Sequence, residues 1–530
     1  MFVIYITLAV ILGLFGVHTL RAYLVSFKYR SLPPGPPRRP IIGNLFDFPK
    51  PGCKEWEHWL KHKDLYGPIS SLASIGQTVI ILNKSEVAHD LLEKRSAIYS
   101  SRPQAVFGAE LSGWNRFVTL KGDANGVRTH RKYITTFLGS KNAILNLHPK
   151  LELGARHFLL KTLQEPDSLV ANMQRMTGAS ILDMVYGYKV EPSGPDPLVD
   201  IADLSNKQFS IAVQTGIWTV DSVPILKYLP TWFPGAGFQR TARQWRHNLT
   251  SLAERPYAFV LHQRSKQKDA ASYVSRHLDL LNSPATPEEE SVIKWTAGVM
   301  YAGGADTTVS TLSTFFRVMA QFPDIQRHAQ AEIDIVVGSR LPTMSDRQNL
   351  PYVDALIKEV MRWHPIAPLG VPHMATEEDE YNGYRIPKGA VLVANIWSFA
   401  HDPEIYNEPM KFNPDRFLQC EDGIAPECDP QKVVFGFGRR ICPGRFLADA
   451  SLFLTISKSL AVFDIAKSVG EDGKEIDLPD EFSPGIISHP SPFRVQVRPR
   501  SKHAEMLIRS VELEDPWLEG DSKVFNDIQF

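Results

Sequence analysis

Apolar residues are distributed along this chain in several distinct patterns. Residues 2–20, FVIYITLAVILGLFGVHTL, carry no charged side chain. As a helix they would reach ~28 Å, about the hydrocarbon depth of a bilayer. Apolar and polar positions alternate at 71–83, 381–397 and 493–500, the period-two signature of strands. Most of the remainder follows helical spacing, and two helices are marked especially clearly. One opens at Thr286-Pro287-Glu288-Glu289, with an N-cap threonine, proline at the first helical position and glutamate at the third. Its pattern runs on to Phe322, where Pro323 stops it. It would be ~54 Å long and apolar around most of its circumference, which suits the middle of a molecule. The other, PYVDALIKEVMRWHP, starts at Pro351 and presents Val353, Leu356, Ile357, Val360 and Met361 as one stripe. Glu359 and Arg362 lie on its opposite face, three residues apart and within reach of each other. The pattern predicts a mainly α body with small peripheral sheets and an N-terminal transmembrane helix.

Charge refines this outline. The 58 basic and 58 acidic side chains cancel, so no electrostatic footprint for nucleic acid is present. Positive residues follow the apolar run (Arg21, Lys28, Arg30, Arg38 and Arg39), which favours a retained anchor with the body on the cytosolic side. LPPGPP, residues 32–37, predicts a stiff, extended spacer. Residues 501–530 are polar and partly acidic, and are expected to form a loosely attached tail. The four cysteines show no CxxC spacing, so neither a disulfide framework nor a four-thiolate zinc site is indicated.

Chemistry concentrates in two segments. VFGFGRRICPG, residues 434–444, sets Cys442 among glycines and arginines. A buried thiolate needs donors and positive charge nearby, and such a loop offers both. YAGGADTTVST, in the middle of the long helix, puts Asp306, Thr307 and Thr308 where apolar residues are expected. Gly303 and Gly304 cost the helix ~1 kcal/mol each relative to alanine. Read alone, that segment fits close helix packing as well as it fits a site. Glu359 and Arg362, read alone, fit a surface pair worth ~0–1 kcal/mol.

Together these pieces resemble a cytochrome P450. PPGP, the glycine–acid–threonine helix, Glu359-Val360-Met361-Arg362, the Phe412–Phe417 segment and the cysteine loop occur in that family's order. The loop matches its signature at Phe435, Gly438, Arg440, Cys442 and Gly444. The resemblance is to a fungal microsomal member, of the group that oxidises secondary metabolites. It implies a helix-rich haem-thiolate fold over residues 41–500, preceded by an anchor at 2–20 and a basic, proline-rich linker at 21–40. Cys442 would be the axial thiolate of haem b (iron protoporphyrin IX), with Phe435, Gly436 and Gly444 shaping its loop. Arg440, Arg131 and His373 would pair with the haem propionates, and Glu359, Arg362 and Arg416 would form a buried structural triad. Val127 stands where the family has a tryptophan, which implies one propionate donor fewer. Thr307 would bend the long helix and, with Asp306, relay the protons that O–O cleavage needs. Phe107, Trp114, Phe117, Ala302, Ile366 and Ile486 would line the substrate pocket.

The activity implied is insertion of one atom of O2 into a hydrophobic organic substrate, in fungal secondary or xenobiotic metabolism. Electrons would come from NADPH through cytochrome P450 reductase, with cytochrome b5 as a further donor. The expected location is the endoplasmic reticulum membrane. Two alternatives use the same haem site: an isomerase or dehydratase, and a non-catalytic haem sensor. The first needs no proton relay, so Asp306 and Thr307 weigh against it; the second predicts haem binding without NADPH consumption.

Overall fold

A computed structural model of the chain describes residues 13, 16, 31–40, 42–50, 52–74, 76–214, 216–281, 285–419 and 425–528. The expected anchor at 2–20 lies outside this set apart from Gly13 and Gly16. Among the described residues no helix is long and apolar enough to cross a membrane.

The long helix spans Pro287–Gln321 and is α-helical throughout. Its start is a closed capping box: Glu289 N donates to Thr286 Oγ1 at 3.2 Å and Thr286 N to Glu289 Oε2 at 3.0 Å. Every residue from 308 to 320 is buried, which confirms its central place. The helix Leu169–Tyr186 packs most extensively against it. Gly304 permits that approach, because a Cβ there would sit 2.9 Å from Ile181 Cδ1.

Two of the three strand regions contain hairpins, and the third holds the single strand Val495–Pro499. Gly76, at φ +82°, turns Ile69–Ser74 back onto Gln77–Leu82. Asn382 and Gly383, both at positive φ, turn Asp379–Tyr381 into Tyr384–Ile386, as an Asn-Gly pair favours. Gln77–Leu82 then pairs in parallel with Val391–Ala394, whose other edge takes His373–Met374. One sheet thus joins segments some 300 residues apart and sets His373 beside the interior. Phe463–Lys467 and Val495–Pro499 form a separate antiparallel pair.

Two terminal segments are better fixed than their sequences suggest. The proline-rich stretch is held against the first strand: Ser71 N donates to Pro34 O at 2.8 Å and Ser71 Oγ to Pro33 O at 2.6 Å. The expected loose tail is not loose. Helix Lys502–Arg509 buries Ala504 and Ile508, and Val511 continues that face. Arg156 pairs with Glu514 and Asp515, Trp517 stacks on His157, and Asp521 accepts from Lys189 N.

Candidate active site

A cavity of about 400 Å³ opens inside the molecule between the middle of the long helix and the loop that precedes helix Arg445–Val462. Cys442 is on its wall, placed by backbone geometry. Cys442 N donates to Phe435 O at 2.8 Å, closing a turn in which Gly436 takes φ +78°. Gly438, at φ +52°, packs against the helical turn at 89–94; a Cβ there would lie 2.5 Å from Leu92 O. Phe435, Gly436 and Gly444 also face the cavity. Burial pushes the Cys442 thiol up, while the Gly444 N–H and the charges of Arg131 and Arg445 pull it down. A metal that took up the sulfur would displace its proton.

Three guanidinium groups share this wall: Arg102, Arg131 and Arg440. Arg440 donates to Ser100 O, Val118 O and Lys121 O at 2.6–2.8 Å. Arg131 donates to Ile441 O at 2.8 Å, and Arg102 to Val371 O, Pro372 O and Thr119 O. All these acceptors are main-chain carbonyls, so no carboxylate among them neutralises the cluster. Burial lowers all three pKa values, and mutual repulsion adds to the shift for Arg102 and Arg440, the latter falling to about 10. Buried cations that no carboxylate bonds call for an anion, even though Asp123 acts on Arg440 through space. A thiol and a cluster of arginines around one internal cavity fit haem, with its iron and two propionates.

His373 is buried in the same wall. Its Nδ1 donates to Tyr99 O at 2.7 Å, which leaves Nε2 as an acceptor while the ring is neutral. Burial, then Arg102 and Arg440, hold its pKa well below the usual value. His373 could donate to a propionate only by taking up a second proton, which the propionate itself would favour. Val127, at the expected tryptophan position, is buried in the apolar core and does not border the cavity.

The long helix supplies Ala302, Gly303, Thr307 and Thr308 to the cavity. Thr307 Oγ1 donates to Gly303 O at 2.7 Å, Asn206 Nδ2 to Ala302 O at 3.1 Å and Thr177 Oγ1 to Ala305 O at 3.0 Å. Side chains thus attend the carbonyls of Ala302, Gly303 and Ala305, and the segment is α-helical through Thr307. A Cβ on Gly303 would meet nothing within 4 Å, so this glycine borders open space. Asp306 does not border the cavity; its carboxylate lies 3.3 Å from His489 Nε2.

The predicted triad assembles away from solvent. Arg362 Nε and Nη2 donate to Glu359 Oε2 and Oε1 at 2.7 and 2.8 Å, and both side chains are fully buried. Arg416 Nε lies 3.3 Å from Glu359 Oε2 and also pairs with Glu427. Asn413 N adds a 2.7 Å bond to Glu359. The pair is therefore a buried network and not a surface contact.

Of the expected pocket residues, Trp114, Phe117, Ala302, Ile366 and Ile486 border the cavity, and Phe107 does not. Phe107 is stacked on Trp218 at 3.4 Å and edge-on to Trp245, so it supports the wall from behind. Phe209 takes a place on the wall beside Trp114, with ring centroids 4.7 Å apart. Sequence reasoning missed Arg102 and His489. The only local sign of Arg102 was a basic residue with no acid nearer than Glu93 or Glu110. His489 carried no local sign, because its partner is 183 residues away.

Comparison with known proteins agrees with this geometry. The family model described as Cytochrome P450 matches residues 33–497. Cytochrome P450 monooxygenase claR of Ampulloclitocybe clavipes is 45% identical, over 95% of this chain and 92% of its own length. Cytochrome P450 monooxygenase ppsD of Aspergillus oryzae is 45% identical over 94% and 95%. The O-methylsterigmatocystin oxidoreductase of Aspergillus flavus is 42% identical over 96% of each chain. A cysteine loop and a threonine-bearing helix around one cavity, a family match across the body and full-length relatives together establish that the chain belongs to the cytochrome P450 family and is a P450 monooxygenase.

Proposed function

We propose that this monooxygenase is anchored in the endoplasmic reticulum membrane by residues 2–20 and oxidises a hydrophobic, aromatic small molecule in fungal secondary or xenobiotic metabolism. The observation that carries the catalytic reading is a single cavity bordered by both Cys442 and Thr307. The aromatic wall of Trp114, Phe117 and Phe209 supports a flat apolar substrate. So do the fungal relatives, one of them named for O-methylsterigmatocystin.

Haem b, when bound, supplies the redox centre at which O2 is activated. Cys442 would ligate its iron, and Arg102, Arg131, Arg440 and His373 would hold its propionates. The chain's own task is to place the substrate and meter protons. Substrate C–H, O2, two electrons and two protons become C–OH and water. Thr307, on the cavity wall, would hold a water and pass protons inward from Asp306. Gly303 leaves room for the substrate beside it. The electrons would come from NADPH through cytochrome P450 reductase, with cytochrome b5 as a second donor.

The reduced, carbon monoxide-bound spectrum tests the ligand. A long-wavelength Soret band is expected in the native protein and not in Cys442→Ala; its persistence in that variant would overturn the assignment. Thr307→Ala should keep the haem and divert electrons to hydrogen peroxide.

A further inference from the structure

The carboxylate of Asp306 is separated from the cavity that Thr307 and Thr308 border. It meets instead the loop closed by the Phe482–Pro490 bridge, where His489 Nε2 lies 3.3 Å from Oδ1 and 3.4 Å from Oδ2. That loop is pinned internally. His489 N donates to Ser483 Oγ at 2.9 Å, Ser483 N to His489 O at 2.7 Å, and Ser488 Oγ to Ser483 O at 2.7 Å. It is also tied to the long helix one turn beyond Asp306, where Ser310 Oγ donates to Ser488 O at 2.6 Å. The His489 side chain is 34% exposed and that of Asp306 only 17%. Both side chains reach the surface, the imidazole twice as far exposed as the carboxylate it touches.

From this arrangement we infer that His489 is a positioning residue that feeds protons from solvent to Asp306, an inference that rests on the relay proposed for Asp306 and Thr307. Imidazole is the side chain whose ordinary titration lies nearest neutral pH. In the step, an imidazolium gives its Nε2 proton to an Asp306 oxygen and is left neutral, with its remaining proton on Nδ1. The carboxylic acid passes the proton toward Thr307 and is a carboxylate again. The partly exposed ring turns its bare nitrogen to water, takes up one proton there and is an imidazolium again. Two passages supply the two protons of one turnover, and the electrons come from the reductase. At 3.3 Å the pair is just beyond the ~2.6–3.2 Å reach of direct proton transfer, so the ring closes on the carboxylate by a few tenths of an ångström in the step.

The charged neighbours are few. His364, behind the loop, bonds Ser488 Oγ at 2.9 Å, and burial, then His401, Arg317, Lys54 and His489, holds it neutral. Arg317 lies over the Phe482 ring and pairs with Asp480. Asp306 is the carboxylate that His489 contacts.

The test uses the full-length haem protein with reductase, 7-ethoxycoumarin as an organic probe, and His489→Gln, His489→Ala, Asp306→Asn and Thr307→Ala. Both His489 variants should keep the carbon monoxide spectrum and lose about tenfold in product per NADPH, less than the ~10²-fold typical of a direct proton donor. Their coupling should also lose its pH dependence, and adding Asp306→Asn should cost little more. Independently of turnover, the ¹³C-histidine NMR signal that is missing from His489→Gln should move in Asp306→Asn, because the carboxylate it contacts is gone. An unmoved signal, or unchanged coupling at every pH in both His489 variants, would overturn the inference. If Asp306→Asn and Thr307→Ala uncouple while the His489 variants do not, the relay stands without His489. If none of the four uncouples, the relay falls and the inference with it.

Discussion

Gly303 and Gly304 are adjacent in sequence, yet a methyl group added to each should act in opposite directions. Alanine gains ~1 kcal/mol of helix propensity at either position. At 303 nothing opposes that gain, because a Cβ would meet no atom within 4 Å. Gly303→Ala should therefore be more stable by about 1 kcal/mol. At 304 the Cβ would sit 2.9 and 3.0 Å from Ile181 Cδ1 and Cγ1, well inside the ~3.5–4.0 Å of good carbon contacts. Overpacking of this kind costs ~1–3 kcal/mol, which cancels or exceeds the propensity gain. The variants should thus differ by ~1–3 kcal/mol, with Gly303→Ala the more stable. Urea unfolding of the haem-loaded protein, followed by tryptophan fluorescence, reads that difference. Function should run the other way: the methyl at 303 occupies cavity space, so binding of a bulky azole, read from its Soret shift, should weaken in Gly303→Ala. Equal stabilities, or Gly304→Ala the more stable, would refute the assignment of one glycine to open space and the other to helix packing.

Three further outcomes follow from particular side chains. Glu359→Gln leaves two buried guanidiniums facing no anion from that position, and should cost ~3–5 kcal/mol with loss of haem content per chain; a loss under ~1 kcal/mol would remove the triad from the stability argument. Arg102→Leu should release haem faster to apomyoglobin, while the haem-free chain escapes the repulsion from Arg131 and Arg440; unchanged retention would show that Arg102 does not serve the cofactor. His130, buried with Nδ1 unpartnered, has its pKa lowered to about 4, first by burial and then by Lys121. Between pH 6.5 and 4 the unfolded chain binds the extra proton, so this contribution is complete above ~6.5 and is lost as pH falls, by ~3 kcal/mol at most. In His130→Leu the acid-side slope of unfolding free energy against pH should flatten, and an unchanged slope would contradict the shift.

What could be read from the sequence was whatever depends on nearby residues. The capping box at Thr286 and Glu289, the arrest at Pro323 and the Glu359–Arg362 pair each join positions three or so apart, and each stands as expected. Tertiary partners decided the rest. The tail reads as polar because its buried face is only Ala504, Ile508 and Val511, and what holds it down is Arg156 and His157 from far up the chain. Phe107 has the composition of a pocket residue, but Trp218 covers it. Val127 is the instructive case. Within its own helix it replaces an expected indole donor and suggests a weakened hold on haem. In the folded chain Arg102 reaches the same wall from a different segment and adds a third cation to Arg131 and Arg440. How firmly the anion is held depends on the sum of charges around the cavity, and that sum cannot be taken along one helix.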